Sequence, residues 1–380
     1  MTASVRPLRS DPTRRGRPEL YTSYESDAAL LNTPGKRWGV LAIVVLAAAA
    51  PFVLGNPLLV LLATAFAAAI GAIGLNLVTG YAGQVSLGHA FFVGLGAYTA
   101  AVLSGDPDAR LLGFGLPMIV WLPAAALVPG LVGLIVAPLA TRLRGLYLAI
   151  VTLGLVFLGE HVFREWRSVT GGPGVGRDGV QAAIFGVSIT GSGGGLDGAQ
   201  KAYLFTFALL LVAALLGRNL ARSKVGRAFA AVRDRDIAAE VIGVNLTRSK
   251  LLAFAISSAY AGVAGALLYT LTRTIDPNSF NLLMSVRFIA MVLIGGVATI
   301  SGSIMGALFI TLLPRFTQLL PRFLPFIGEG ARGGGLISTA DLEVMLYGLL
   351  IVGFLIFEPR GLFGLWIRVR NYWKGWPFSY

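Results

Sequence analysis

Cysteine is absent from this 380-residue chain, and histidine occurs only as His89 and His161. The first absence excludes a disulfide framework, a thiolate metal site and a cysteine nucleophile. The second excludes a metal site built on several imidazoles, and no metal or other cofactor is expected. Charge is scarce too: 13% of residues are charged, against roughly a quarter in a soluble globular chain. No G-x-x-x-x-G-K-[ST] phosphate loop occurs, so nucleotide is not bound in that way. A secretory signal would place a short apolar stretch and a cleavage site near the start. Here the first apolar run begins at Trp38, which reads as a retained anchor and first crossing.

What the chain has instead is apolar length: 56% of its residues are hydrophobic and its mean hydropathy is +0.76. Long runs fall at Trp38–Leu54, Leu58–Val78, Gly88–Leu103, Leu116–Pro138, Gly145–Phe157, Ala202–Leu216, Leu251–Leu271 and Leu342–Phe357. Runs near ~20 residues cross the hydrocarbon core as helices, so the expected fold is an all-α polytopic membrane protein with about 8 full crossings. The broken stretch Arg287–Leu313 adds two pieces that fit either half-membrane helices meeting at a polar turn or two steeply packed helices.

The net charge of +13 is explained by topology rather than by nucleic acid. With a cytoplasmic N-terminus, 21 of the 31 Lys and Arg fall on cytoplasmic segments, the bias that the positive-inside rule produces. Both termini are then cytoplasmic: a basic, disordered tail at residues 1–37 and a basic tail at 359–380, flanking a membrane domain at 38–358. Gly159–Lys201 and Pro314–Thr339 read as loops, and Gly217–Lys250 as a very basic cytoplasmic loop.

Two regions share one plan of apolar run, Gly-rich polar turn and small-residue helix. They are Leu58–Leu103, with its turn TGYAGQVS, and Arg287–Leu313, with GGVATISG. An inverted repeat would explain the pair. Polar, glycine-broken helices at membrane depth are where transporters handle cargo, and a helix N-terminus suits a carboxylate. The expected path residues are therefore Gln84, Ser86, Gly88 and His89 at the first turn, and Gly295, Gly296, Thr299 and Ser301 at the second. Capping and tight packing are the plainer roles for the same residues. Gly71, Gly74, Gly94, Gly96, Gly262 and Gly265 inside apolar runs predict closely packed helices.

Ala230–Asn245, AAVRDRDIAAEVIGVN, reads as a short amphipathic helix with Ile237, Val241 and Val244 on one face. Such a helix lies on lipid or docks into a groove of another protein. Ser86 and His89 share a helix face, but G-x-S-x-G is absent and a Ser–His pair needs an orienting group and an oxyanion site, which argues against an intramembrane hydrolase. Few carboxylates fall within the runs, which disfavours an ion-driven carrier.

Six ordered blocks carry a resemblance: TGYAGQVSLGHAFFVGLGAY, YLAIVTLG, TGGPGV, GRAFAAVRDRDIAAEVIGVN, KLLAFAISSAYAGVAGAL and LIGGVATISGSIMGAL. Over about Leu58–Leu313 the chain resembles the LivM-type permease subunit of branched-chain amino-acid ABC transporters. The resemblance implies an inner-membrane importer subunit without enzymatic activity. It would pair with a second homologous permease subunit, two cytoplasmic ABC ATPase subunits and an extracytoplasmic substrate-binding protein. It also implies an ATPase-coupling helix containing Arg233, Asp234, Asp236, Ala238, Ala239, Glu240 and Gly243. The general importer loop starts Glu-Ala-Ala, whereas Ile237 stands at the Glu position here. Related permeases carry urea or short amides, and the apolar runs do not separate these cargoes.

Overall fold

A computed structural model describes residues 34–107, 111–143, 145–179, 182–184, 187–189, 191, 195–272, 274–318, 327–328 and 337–375. The expected N-terminal tail lies outside the described residues as far as residue 33, and so does most of Pro314–Thr339. Backbone buried in lipid must bond to itself, so apolar runs of this length become helices.

In chain order the principal helices are α1 (Pro34–Ala49), α2 (Asn56–Asn76), α3 (His89–Ser104), α4 (Met118–Arg142), α5 (Leu146–Glu165), α6 (Gly198–Arg222), α7 (Lys224–Asp234), α8 (Asp236–Val241), α9 (Leu246–Thr272), α10 (Leu282–Gly295), α11 (Ile300–Thr317), α12 (Thr339–Phe357) and α13 (Gly361–Gly375). Strands among the described residues are isolated two-residue pairs. Seven helices are long and apolar enough to cross a membrane, and eight when α12 and α13, bent by 45°, count as one span. α1 and α3 supply two shorter apolar helices.

The two pieces of Arg287–Leu313 are not half-length. The first extends over Pro277–Gly295 and the second has 18 residues. They form a hairpin of tightly packed helices, and the bent pair lies further on, at α12 and α13. α5 continues to Glu165, so the loop expected from Gly159 begins later. The basic C-terminal stretch is helical as far as Gly375.

α9 is the centre of the bundle, packing along α4, α3 and α2. Lipid offers no hydrophobic drive between helices, so association rests on close van der Waals contact through small residues. All six glycines singled out from the sequence serve that purpose. A Cβ at Gly96 would meet the Gly262 backbone, at Gly262 the Ala125 carbonyl, and at Gly265 the Val93 carbonyl. Gly71 admits Phe288, Gly74 admits Tyr260, and Gly94 admits Phe163 and Phe280. Large apolar side chains on α1, α4, α5 and α12 face outward.

The chain alternates between two faces. On one, Asn56 Nδ2 donates to Asp197 Oδ2 (3.4 Å), Gly174 N to Asp276 Oδ2 (2.8 Å) and Arg164 Nε to Asn278 Oδ1 (3.0 Å). Arg177, only 4% exposed, pairs with Ile275 along a short strand and donates to the Val169 and Leu112 carbonyls. Burial pulls its guanidinium below the ordinary value. The opposite face carries α7, α8, the turns after α2 and α10, and the α12–α13 bend. Gly265→Ala is expected to cost about 1–3 kcal/mol by overpacking. Thermal unfolding in detergent should show a lowered midpoint, whereas Gly154→Ala, with nothing within 4 Å of the added carbon, should not.

Candidate functional site

The first break starts where α2 runs out of regular turns. Residues Leu77–Tyr81 form a wide π-helical turn, and Gln84 N closes it on the Val78 carbonyl at 2.9 Å. The chain then runs without regular structure to His89. Wide turns of this kind inside helices are frequent at functional sites.

The second break is the turn between α10 and α11. Gly296 has φ 130° and Ala298 φ 58°, and Ala298 is the one non-glycine residue with positive φ among those described. An alanine there is strained by about 1–3 kcal/mol unless its surroundings hold it.

Asn76 holds it. This residue is fully buried. Its Oδ1 accepts from Ala298 N at 2.8 Å, and its Nδ2 donates to the Thr299 carbonyl at 2.9 Å and to Ser303 Oγ at 2.7 Å. A longer contact of 3.4 Å reaches the Gly296 carbonyl. Thr299 Oγ1 and Ser303 N close the turn on the Gly296 and Thr299 carbonyls, at 2.7 and 3.1 Å. Gly80 lies so close that a Cβ there would strike the Asn76 side chain and the Ala298 nitrogen. The two breaks are therefore one joined structure.

A third element is tied to it. Arg233, at the end of α7, donates from Nη1 to the Gly80 carbonyl at 3.1 Å and from Nε to Asp234 Oδ1 at 2.9 Å. Gly83, with φ 67°, leaves room for the Arg233 side chain. From below, the α12–α13 bend closes on the second break. Gly361, with φ 64°, lies against the Ile294 carbonyl, and Glu358 pairs with Arg368 at 2.8 Å.

The expected path residues fall into different settings. Leu87 N donates to Thr152 Oγ1 (2.9 Å), Gly88 N to Ser86 Oγ (3.4 Å) and Ala90 N to Ser285 Oγ (3.0 Å). These donors at the start of α3 are thus held by side chains of the chain itself. His89 is buried with its ring edge on Phe288 at 4.8 Å, and its Nε2 has no partner. Gln84 is buried, and its Oε1 also lacks a partner. Gly295, Gly296 and Thr299 belong to the Asn76 cluster, whereas Ser301 is exposed and stands outside it.

The amphipathic segment is not one helix. It breaks at Arg235, which is extended with φ −157°, so that α7 ends at Asp234 and α8 starts at Asp236. Asp236 Oδ1 accepts from Ile237 N, a local cap that ends the continuous helix expected over Ala230–Asn245. Ala239 is buried against the bundle, while Ala238 and Glu240 point out. Ile237, Val241 and Ile242 are 71%, 83% and 74% exposed. Val244 turns back, its N–H closing on the Ala239 carbonyl at 2.9 Å, and Gly243 takes φ 87° to permit that closure. Thr141, Glu240, Gly243 and Asn245 line a hollow beside α8.

Sequence reasoning missed Asn76, Ser303, Gly80 and Thr152. A single Asn near the end of an apolar run, with no charge near it, was the available signal for the first. A buried amide within a membrane span requires partners of its own.

The structure is thus a bundle of helices long and apolar enough to cross a membrane, broken on one face by two interlocked turns with a short apolar-faced helix beside them. Residues 57–355 match the family described as branched-chain amino acid transport system / permease component, and the chain belongs to it. It is 31% identical over 347 residues to the high-affinity branched-chain amino acid transport system permease protein LivM of Salmonella typhimurium, and equally to that of Escherichia coli. These matches cover 87% of this chain and 76% of each relative. The xylose transport system permease protein XylH of Escherichia coli is 31% identical over 132 residues, 32% of this chain and 34% of its own. No solved structure matches.

Asn76→Leu should leave the Ala298 N–H unpaired, costing about 1–3 kcal/mol for that group alone. Asn76→Asp should be damaging as well, since it sets an acceptor against the Thr299 carbonyl. Ala298→Gly should be neutral or stabilising. Detergent unfolding of the three variants checks the order.

Proposed function

We propose that the chain is a permease subunit of an ATP-driven importer of branched-chain or related amino acids, and that α8 couples it to a cytoplasmic ATPase. The face carrying α7 and α8 is then cytoplasmic, as the distribution of Lys and Arg favours, and both termini emerge there. The chain performs no covalent chemistry. It forms half of the path beside a second, homologous permease subunit, takes cargo from an extracytoplasmic substrate-binding protein, and leaves ATP hydrolysis to two ATPase partners.

The observation that carries this reading is the outer surface of α8. Ile237, Val241 and Ile242 are exposed, with Glu240 among them. Burying such side chains in a partner's cleft contributes about 1.5–3 kcal/mol each. Arg233 then links the docked segment to the first break, and Asn76 links the first break to the second. In the proposed cycle a push on α8 reaches both breaks at once. Cargo passes beside Gln84, Ser86, Gly88 and His89 on one side and Gly295, Gly296, Thr299 and Ser301 on the other. Because Thr152 and Ser285 hold the donors near the start of α3, those residues seal the path in this conformation.

An ion-driven mechanism finds less support. Two carboxylates on the spans are paired: Glu160 with Arg164 at 2.6 Å, and Glu343 with Arg287 at 3.1 Å and with Tyr347. A proton or sodium relay needs carboxylates available to a passing ion.

Gly243→Pro forces φ near −65° on a position at φ 87°, and Glu240→Arg reverses charge in the docking face. In proteoliposomes with the ATPases and binding protein, both should lose at least roughly tenfold in ATP-dependent L-leucine uptake while inserting normally. Normal uptake in both variants would remove the coupling role of α8. Uptake of urea or acetamide in place of L-leucine would reassign the cargo.

A further inference from the structure

The last helix, α13, carries an exposed apolar face on its later turns. Leu365, Trp366, Val369 and Tyr372 are 37%, 53%, 51% and 62% exposed, and their helical spacing sets them on one side. We infer that this face is an in-plane anchor on a bilayer surface rich in anionic phospholipid, with Arg368 and Arg370 reaching the headgroups. The inference goes beyond the proposed import activity and rests neither on the cargo nor on α8.

Placement is the first argument. α12 has 19 residues, a length of about 28 Å at the helical rise, close to the thickness of the hydrocarbon core. The chain then bends by 45° between Phe357 and Gly361. α13 therefore leaves the axis of the span where the hydrocarbon ends. Its first turn is locked on the bundle. A Cβ at Gly361 would strike the Ile294 carbonyl and the Gly296 nitrogen, and Phe363 lies against Gly296. Glu358 holds Arg368 at 2.8 Å. The later turns thus project from a fixed base at the second break.

Composition decides the occupant. The α13 sequence contains Arg368, Arg370 and Lys374 and no Asp or Glu. By helical spacing, Arg368 and Arg370 stand at the two edges of the apolar face. The Arg368 side chain is 72% exposed although one of its nitrogens holds Glu358, and a guanidinium has further donors to offer. Trp and Tyr favour the headgroup level, and an Arg stem lies along apolar surface while its head reaches the phosphates. A helix of this pattern sinks its apolar face into the interface and sets its cations against anionic headgroups. α8 is the contrast: Asp236 and Glu240 stand beside its apolar residues, and an anionic surface repels them. A second copy of the α13 face would set arginine against arginine. Because the anchor is based on the second break, the bilayer braces that turn from outside.

The chain holds no cysteine, so Tyr372→Cys accepts one nitroxide label without background. The test places the labelled full chain, with no other protein, in nanodiscs of phosphatidylcholine mixed with phosphatidylglycerol. The label is expected to be shielded from an aqueous nickel chelate and open to dissolved oxygen. Native mass spectrometry of the unlabelled chain released from the same nanodiscs should show phosphatidylglycerol retained over phosphatidylcholine. Arg370→Gln should lower that preference roughly fivefold, whereas Arg370→Lys should keep it, and thermal unfolding of both separates lost binding from lost structure. A label open to the nickel chelate overturns the anchor. Shielding that arises only when a cytoplasmic ATPase is added also overturns it, and makes the face a protein site. Equal retention of the two lipids, or a preference that Arg370→Gln leaves unchanged, overturns the recognition of anionic headgroups. Neither readout involves uptake, so failure of L-leucine import refutes the proposed function and leaves this anchor standing, and the reverse holds equally.

Discussion

The Asn76 carboxamide bonds to a turn more than 200 residues further along the chain, with Ala298, Thr299 and Ser303 as its partners. Much of the α7–α8 face follows from that one contact. A buried amide in an apolar span is unfavourable unless both its oxygen and its nitrogen are bonded. A turn with an alanine at φ 58° is unfavourable unless it is held. Each defect supplies what the other needs. Gly80 has to lack a side chain for the approach to occur, and its carbonyl accepts from Arg233.

The rest of the bundle obeys a different constraint. Around α9 the interhelical contacts are backbone against backbone, with Gly96, Gly262 and Gly265 at the closest points. Interhelical hydrogen bonds in membranes average well under the value of a buried polar pair in isolation, so the bulk of the bundle has to rely on packing. Asn76 is an exception because it is itself a buried polar group and bonds to the backbone of a strained turn. Prolines 123, 129 and 138 within α4 fit the same logic: Pro129 packs directly on Gly262, and the neighbouring helix covers the backbone groups that the ring leaves unpaired.

Apolar run length made the helical membrane fold legible in the sequence, and inward-facing glycines made the tight packing legible. The two polar turns were visible as interruptions, yet the contact between them was not, because an Asn at the end of a run gives no periodic signal and its partners are mostly backbone. The amphipathic segment at 230–245 was visible by its period of apolar residues. Its division at Arg235 was hidden, since alternating Arg and Asp suit a helix as well as the extended link that forms. Ser301 and Ser303 differ by two positions and look equivalent in the sequence. In the helix they lie on different sides, and only Ser303 reaches Asn76.

The division at Arg235 decides how force can travel through this face. A load on one continuous helix would bend it and be dissipated along its length. Here α8 is six residues long and joined to α7 by a single extended residue, a junction that absorbs rotation as hinges do. A bare hinge would let α8 swing without moving anything else. Arg233, on the α7 side of the hinge, is fixed at once to Asp234 and to the Gly80 carbonyl inside the first break. In the proposed transporter a load that reaches α7 through this junction pulls on the wide turn after α2, and through it on the Asn76 contacts to Ala298 and Thr299. In the proposed transporter the short helix acts as a lever and the two breaks move as its load, and the lever works only while the Arg233 and Asn76 contacts both hold.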